Sequence, residues 1–174
     1  MTMRNFIEYD LEEIIYGADR NELIKRGLLI SENAILFRQK KIGNYGISDL
    51  ISVEKEYTPI ECKPYLNINI IELKKDKIGI SAFLQAAGYA KGIHSYLIEK
   101  RMFYKYKLGI TLIGSSIDTS GSFCFLPDMI KSLDVFSPHT NGEIDHLTIQ
   151  TYSYKIDGIY FKTENGYSLT DEGF

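Results

Sequence analysis

The sequence feature that most constrains the fold is an apolar and β-branched run at residues 66–73, in which only Asn67, Asn69 and Glu72 are polar. A short run of this kind is typical of a buried strand. The run ends in charge, because Glu72 and Lys74 stand two positions apart. Side chains alternate across a strand, so this spacing puts the carboxylate and the ammonium on one face. The sequence therefore predicts a buried strand that carries a charged pair at its end.

A second apolar segment, at residues 46–53, contains a single acid, Asp49. It is typical of a neighbouring strand, and Asp49 and Glu72 would then meet at adjacent strand ends. Two acids beside a lysine would form a site for a hard cation. The simpler alternative is a strand-end salt bridge, which contributes little energy at a surface. A buried apolar strand is, however, an expensive place for charged groups that have no task.

Length and composition set the class of protein. With 174 residues, of which 44% are apolar, we expect one domain of 1–174 with a sizeable core. No run of 18 apolar residues and no secretory pattern is present, which predicts no membrane association. Cys62 and Cys124 fit neither a zinc pattern nor a disulfide framework. We therefore expect an intracellular, cytoplasmic protein with free thiols.

Charge is unevenly distributed along the chain, although its net value is only −3. From Lys74 to Lys107 the sequence contains eight basic residues and two acidic ones, whereas from Asp118 onward it contains nine acidic residues and three lysines. A basic middle and an acidic tail are compatible with one electropositive face, and equally with ordinary solvated surface. Arg38, Lys40 and Lys41 leave the same choice open between contacts to a DNA backbone and a polar strand end.

The pattern of the remaining chain predicts an α/β fold built on a mixed sheet. The expected elements are helices over 7–26 broken near Gly17, a strand over 34–41, a helix over 82–101, a strand over 108–113 and an antiparallel meander over 147–169, turning at 157–158 and 165–166. Ser81 is the expected N-cap of the long helix. Gly88 and Gly92 are expected to mark a close approach of that helix to the sheet.

Asp49, then Glu72-Leu73-Lys74, then Gln85 and Tyr89 on the following helix, together resemble the PD-(D/E)xK nuclease superfamily. The Gln-x-x-x-Tyr element is similar to the RecB-like branch, and Ile71-Glu72-Leu73-Lys74 is similar to archaeal endonucleases. Ser48 stands where the family usually has proline. The resemblance covers roughly residues 10–113. It implies a restriction-endonuclease-like mixed sheet flanked by helices, with a nuclease core over about 7–113 and a β-rich extension over about 114–174.

The resemblance also implies roles for these residues in a metal-dependent deoxyribonuclease. Asp49, Glu72 and the backbone carbonyl of Leu73 would bind Mg²⁺ or Mn²⁺. Lys74 would orient the attacking water or stabilise the developing anion. Gln85 and Tyr89 lie four residues apart on one helix face. Gln85 would hold Lys74 or a phosphate, and Tyr89 would touch the substrate. The first-helix acid that the family often adds would be Glu12, with Glu13 as the other candidate.

Two other interpretations remain open at this point. The chain could be a catalytically inactive nuclease-fold module that binds nucleic acid or a protein partner, or the motif could be accidental. An accidental motif would put Asp49 and Glu72 on different faces of the sheet. A homodimer that addresses both DNA strands is a further possibility. His94, His139 and His146 show no metal-ligand spacing, and residues 137–145 have the composition of a loop.

Overall fold

The computed structural model describes residues 8–57, 62–101, 105–118, 120, 123 and 144–164. The elements in these ranges, in chain order, are α1 (Glu8–Gly17), α2 (Arg20–Lys25), β1 (Ile35–Lys41), β2 (Ile47–Tyr57), β3 (Pro64–Leu73), β4 (Lys77–Ile78), α3 (Ile80–Glu99), β5 (Lys105–Gly114), β6 (Ser116–Ile117), β7 (Ile144–Lys155) and β8 (Gly158–Thr163). Six strands form one sheet in the order β1-β2-β3-β5-β7-β8, and β4 pairs with β6.

The six-stranded sheet is mixed, as the sequence predicts. β1, β2 and β3 are antiparallel neighbours, β3, β5 and β7 run parallel, and β8 returns antiparallel to β7. The long helix α3 connects β3 to β5, as parallel strands require. The predicted turn at 157–158 is present, because Lys155 pairs with Gly158. The hairpin β7–β8 thus extends the main sheet, while the second predicted turn, at 165–166, lies outside the described residues.

The two faces of the sheet carry separate apolar cores. Ile68 and Ile70 of β3 belong to the core beneath α3. Ile71 and Leu73, of opposite parity, belong to the core that includes Leu11 of α1. This alternation is the period-2 pattern of a strand buried on both faces. The predicted buried strand is confirmed.

The predicted break between α1 and α2 is present. Asp19 caps α2, because its side chain accepts a hydrogen bond of 2.9 Å from the backbone N–H of Glu22. Gly27 follows the helix with φ of +96°, and a Cβ there would lie 2.2 Å from the carbonyl oxygen of Phe161. The predicted end of the helices near residue 26 therefore has two causes at Gly27, a left-handed backbone and contact with β8.

The prediction of Ser81 as the N-cap of the long helix is wrong. The helix begins at Ile80, Gly79 is the N-cap, and no side chain caps it. The carbonyl of Gly79 already accepts hydrogen bonds from the N–H groups of Ala82 and Phe83. Ser81 therefore lies within the first turn. The helix also ends earlier than predicted, at Glu99.

Gly92 marks a close approach of the helix, but to the segment between β1 and β2 rather than to the sheet as expected. A Cβ on Gly92 would lie 2.5 Å from Cγ2 of Ile42 and 2.7 Å from Cδ2 of Tyr45. At Gly88 the nearest atom, in Tyr45, is 3.9 Å away, an ordinary contact. Gly92 thus lets α3 lie against the segment between β1 and β2, which fixes the helix over the start of β2.

In the part of the chain that the structure describes, no helix is long and apolar enough to cross a membrane. Cys62 is an exposed free thiol. Cys124, His139 and residues 137–143 lie outside the described ranges. His146 lies on β7.

Candidate active site

The candidate site lies where β2 and β3 separate. Their pairing ends at Leu50 and Ile71, a register that places Asp49 beside Glu72 on the face toward α3. The N–H of Leu73, which β2 leaves unused, donates to Oδ2 of Asp49 at 2.9 Å. The two acids that the sequence singles out therefore share a face. The signature of an accidental motif, acids on different faces, is not found on these two strands.

Glu72 is a fully buried carboxyl group with only part of its hydrogen-bonding capacity used. Its side chain is 1% exposed, and Oε1 accepts a hydrogen bond of 2.8 Å from Nζ of Lys74. Oε2 is buried and has no hydrogen-bond partner among the described residues. Buried polar atoms are nearly always paired, so an unpaired carboxylate oxygen requires an explanation.

The electrostatics of the cluster oppose charge on both acids. Burial, and then the charge of Asp49, raise the pKa of Glu72 to about 7 from an ordinary value of 4.5. Burial also raises the pKa of Asp49. At Lys74, burial acts against the charge, but the hydrogen bond to Glu72 and the nearby carboxylates outweigh it and raise the pKa. The cluster thus contains a lysine cation and two acids whose ionised forms are disfavoured. Further positive charge nearby would stabilise those ionised forms and lower both pKa values.

The helix α3 adds two side chains to the cluster. Gln85 accepts a long hydrogen bond of 3.4 Å from Nζ of Lys74, and its Nε2 donates to the hydroxyl of Tyr89 at 3.1 Å. Tyr89 is buried. Gly46, with φ of +119°, lies under this ring, because a Cβ there would be 3.2 Å from Cε1 of Tyr89. A continuous chain of contacts therefore runs from Glu72 through Lys74 and Gln85 to Tyr89.

Glu12, the predicted first-helix acid, is engaged elsewhere. It is 3% exposed, and its two oxygens accept hydrogen bonds from Nε of Arg38 and Nε2 of Gln39. Glu13 contacts the same guanidinium at 2.7 Å from its exposed position. The structure thus joins Glu12 to β1 rather than to Lys74. It also commits Arg38, for which a DNA contact and a polar strand end were both open, to an ion pair within the protein.

Glu8 is an acid near the cluster that the sequence reasoning missed. The N–H of Lys75 donates to Oε1 of Glu8 at 3.3 Å. Among smaller contributions, the charge of Glu8 raises the pKa values of Glu72 and Lys74. The sequence could have indicated Glu8 as a candidate, because it lies one helical turn before Glu12 on the same helix face. Choosing between them requires knowing which helix end reaches the loop after β3.

The donor set suits a hard cation. Among the described residues, Glu72 Oε2 has no hydrogen-bond partner and Asp49 accepts a backbone hydrogen bond at Oδ2. As in any strand, the carbonyl of Leu73 points to the same side of β3 as its N–H. No group of three or more His, Cys, Asp or Glu side chains is arranged to hold a metal in the described ranges. Magnesium is commonly held by one or two carboxylates, with water and substrate phosphates completing its six ligands.

Comparison of the chain with protein-family models, with curated proteins and with solved structures finds no match.

Proposed function

We propose that this protein is a divalent-metal-dependent nuclease of the PD-(D/E)xK type, cutting the phosphodiester bonds of DNA. The observation that carries the proposal is the buried, half-satisfied carboxyl group of Glu72, which lies beside Asp49 and a lysine cation. A purely structural ion pair would use both carboxylate oxygens, since an unpaired one costs free energy. The reaction type and the choice of DNA as substrate rest on the resemblance of the motif residues, in their order along the chain, to the PD-(D/E)xK superfamily.

Asp49, Glu72 and the Leu73 carbonyl would hold Mg²⁺ or Mn²⁺. The cation would neutralise charge on the phosphate and lower the pKa of the attacking water. Its charge would also remove the electrostatic cost that now raises the pKa of both acids. The raised pKa of Glu72 predicts that metal binding displaces a proton at neutral pH, so that binding strengthens as pH rises.

Lys74 would act at the reacting centre. Its side chain is 22% exposed, so the ammonium reaches solvent while Glu72 fixes its position. Because its raised pKa keeps it protonated at neutral pH, Lys74 acts as a hydrogen-bond donor that orients water or stabilises a developing anion. Gln85 is a positioning residue that limits the orientations of Lys74, and Tyr89 in turn holds the Gln85 amide.

The test is cleavage of labelled single-stranded, duplex and branched DNA in Mg²⁺, Mn²⁺ or EDTA by the full chain. Cutting is expected only with metal and is expected to fall about 10³-fold in Lys74→Ala, since positioned proton donors and charge stabilisers contribute factors of this size. Lys77→Ala is the matched control, because this lysine is exposed and lies on β4, outside the cluster.

Retained cleavage in Lys74→Ala, with Lys77→Ala behaving alike, would count against the proposal. Calorimetry with Mg²⁺ alone separates the remaining outcomes. If wild type binds the ion and Glu72→Gln does not, the metal site stands regardless of which DNA form is cut. Absence of both cutting and Mg²⁺ binding would favour the non-catalytic binding module.

A further inference from the structure

A second polar site lies on the opposite face of the sheet, away from α3. It is a cavity of about 310 Å³ between residues 29–34 and strands β2, β3, β5 and β7. Its polar side includes Asn67, Asn69 and Thr111, and we call it the asparagine pocket. Side chains at 67 and 69 point away from the face that carries Glu72, so the sheet separates this pocket from the candidate active site.

Two acceptor atoms in this pocket have no partner. Oδ1 of Asn67 and Oδ1 of Asn69 are buried without a hydrogen bond among the described residues. The other end of each amide is used, since Nδ2 of Asn67 donates to Glu56 at 2.8 Å and Nδ2 of Asn69 donates to Thr111 at 2.8 Å. A carboxylate accepts only, so Glu56 fixes which end of the Asn67 amide remains open.

A glycine in β5 leaves space between two residues that line the pocket, Asn69 and His146. A Cβ on Gly109 would lie 2.2 Å from Nε2 of His146 and 3.0 Å from Oδ1 of Asn69. The bare backbone at Gly109 therefore lets the imidazole and the open amide oxygen lie over the same point of the sheet. This arrangement puts a flat ring beside an unpaired acceptor.

The chemistry of the walls defines the ligand. Unpaired amide oxygens and the carboxylate of Glu54 accept hydrogen bonds, and no lysine or arginine lines the pocket among the described residues. These features favour a ligand with N–H donors over a phosphate or another anion. Leu29 and Ile30 form an apolar side opposite the polar strands, which suits a flat ring. The volume is at the lower end of the range for small-molecule sites.

We propose that the asparagine pocket binds an amino-substituted nucleobase, adenine or cytosine, whose exocyclic amino group donates to Asn69 Oδ1. Adenine and cytosine carry this amino group as N6 and N4, whereas guanine and thymine carry an oxygen acceptor, O6 and O4, at the same position. The apolar residues and the His146 ring would cover the faces of the base. This site does not depend on the proposed nuclease activity, because different residues on the other face of the sheet form it.

The test is calorimetric titration of the full chain with four nucleosides, in EDTA so that metal chemistry plays no part. Adenosine and purine riboside differ only in the amino group, whereas cytidine and uridine differ in the amino group and in the proton on N3. The amino member of at least one pair is expected to bind tenfold or more tightly than its partner, and Asn69→Ala is expected to lose that preference. Asn21→Ala, a change at an exposed helix position, should retain it.

Equal binding within both pairs, no binding of any nucleoside at millimolar concentration, or an unchanged preference in Asn69→Ala would overturn the proposal. If Asn69→Ala does not fold, the wild-type protein still decides. Adenosine or cytidine should then shift the side-chain amide NMR signals of Asn67 and Asn69 but not that of Asn21. Lys74→Ala should bind nucleosides like wild type, which keeps this result distinct from that of the cleavage experiment.

Discussion

Glu12 and Glu72 are both buried acids next to a basic side chain, but they differ in how many of their carboxylate oxygens accept hydrogen bonds. Both oxygens of Glu12 accept hydrogen bonds from β1 side chains. Glu72 shares one oxygen with Lys74 and leaves the other buried and unpaired among the described residues. The first arrangement is complete without any further group, whereas the second is complete only when a cation or a proton is added.

This difference separates a structural acid from a candidate functional one more clearly than burial does, since the two residues are almost equally buried. A satisfied buried pair fixes two elements together, here α1 and β1. A partly satisfied acid destabilises the folded chain, because its unpaired oxygen has lost its water without gaining a hydrogen bond. Changes at the two positions should therefore shift stability in opposite directions.

The largest effect is expected at Glu12. Glu12→Ala would leave Arg38 and Gln39 without their shared acceptor at the interface of α1 with β1. We expect the free energy of unfolding to fall by about 3 kcal/mol, as when one partner of a buried ion pair is removed. Chemical denaturation monitored by circular dichroism measures this change.

Glu13→Ala is the matched control on the same helix. Glu13 contacts the same guanidinium at 2.7 Å, but its side chain is 52% exposed. Exposed ion pairs contribute little to stability, so its removal should be hardly detectable. Equal losses in the two variants would show that contact with Arg38, rather than burial of a satisfied acid, determines the stability here.

The next effect is expected at Glu72 and depends on pH. Its pKa of about 7 in the folded state lies above the ordinary value of 4.5, so the folded chain binds this proton more tightly than the unfolded chain. Wild-type stability should therefore fall as pH rises from 4.5 to 7. Glu72→Gln removes the titration, and above pH 7 it should be more stable than wild type by roughly 2 kcal/mol, allowing for the lost partner of Lys74.

Thermal melts of wild type and Glu72→Gln between pH 4.5 and 8.5, in EDTA, measure the difference. The difference in melting temperature between the two proteins should be small at pH 4.5 and largest at pH 8.5. Addition of Mg²⁺ should narrow it by stabilising only the wild type. A Glu72→Gln protein that is less stable than wild type at pH 8 would show that the carboxylate is satisfied after all.

The sequence was most informative where the pattern of a single segment was enough to predict its structure. The apolar run at 66–73 predicted β3, and alternation placed Glu72 and Lys74 on one face. The helix break and the turn at 157–158 followed from local residues, Asp19 and Gly158. Each of these predictions depends on neighbours in the chain, and local chemistry is what a sequence displays most directly.

Features that depend on distant residues were not predictable in the same way. Glu12 and Glu8 lie on one helix face, and only the positions of β1 and of the loop after β3 decide which of them faces Lys75. Serine is a residue type favoured at N-caps, which is why Ser81 was predicted. The helix α3 nevertheless begins after Gly79, whose backbone is extended. The asparagine pocket combines four strands with residues 29–34, and no short motif marks such a set.

The smallest effect is expected at Ser48, which stands where the resembled family usually has proline. Its side chain is fully buried, and its hydroxyl has no partner among the described residues. Unlike Glu72, it carries no charge that a cation could compensate. Ser48→Ala should therefore raise the free energy of unfolding by about 1 kcal/mol at every pH, because it removes an unpaired polar atom at little cost in packing. Ser52→Ala is the control, because Ser52 lies four residues further along β2 on the same face and lines the asparagine pocket. Water can reach its hydroxyl there, so no gain in stability is expected. A loss of stability in Ser48→Ala would show that a buried unpaired oxygen on β2 does not by itself indicate a cost, and the inference drawn from Glu72 would then depend on its charge alone.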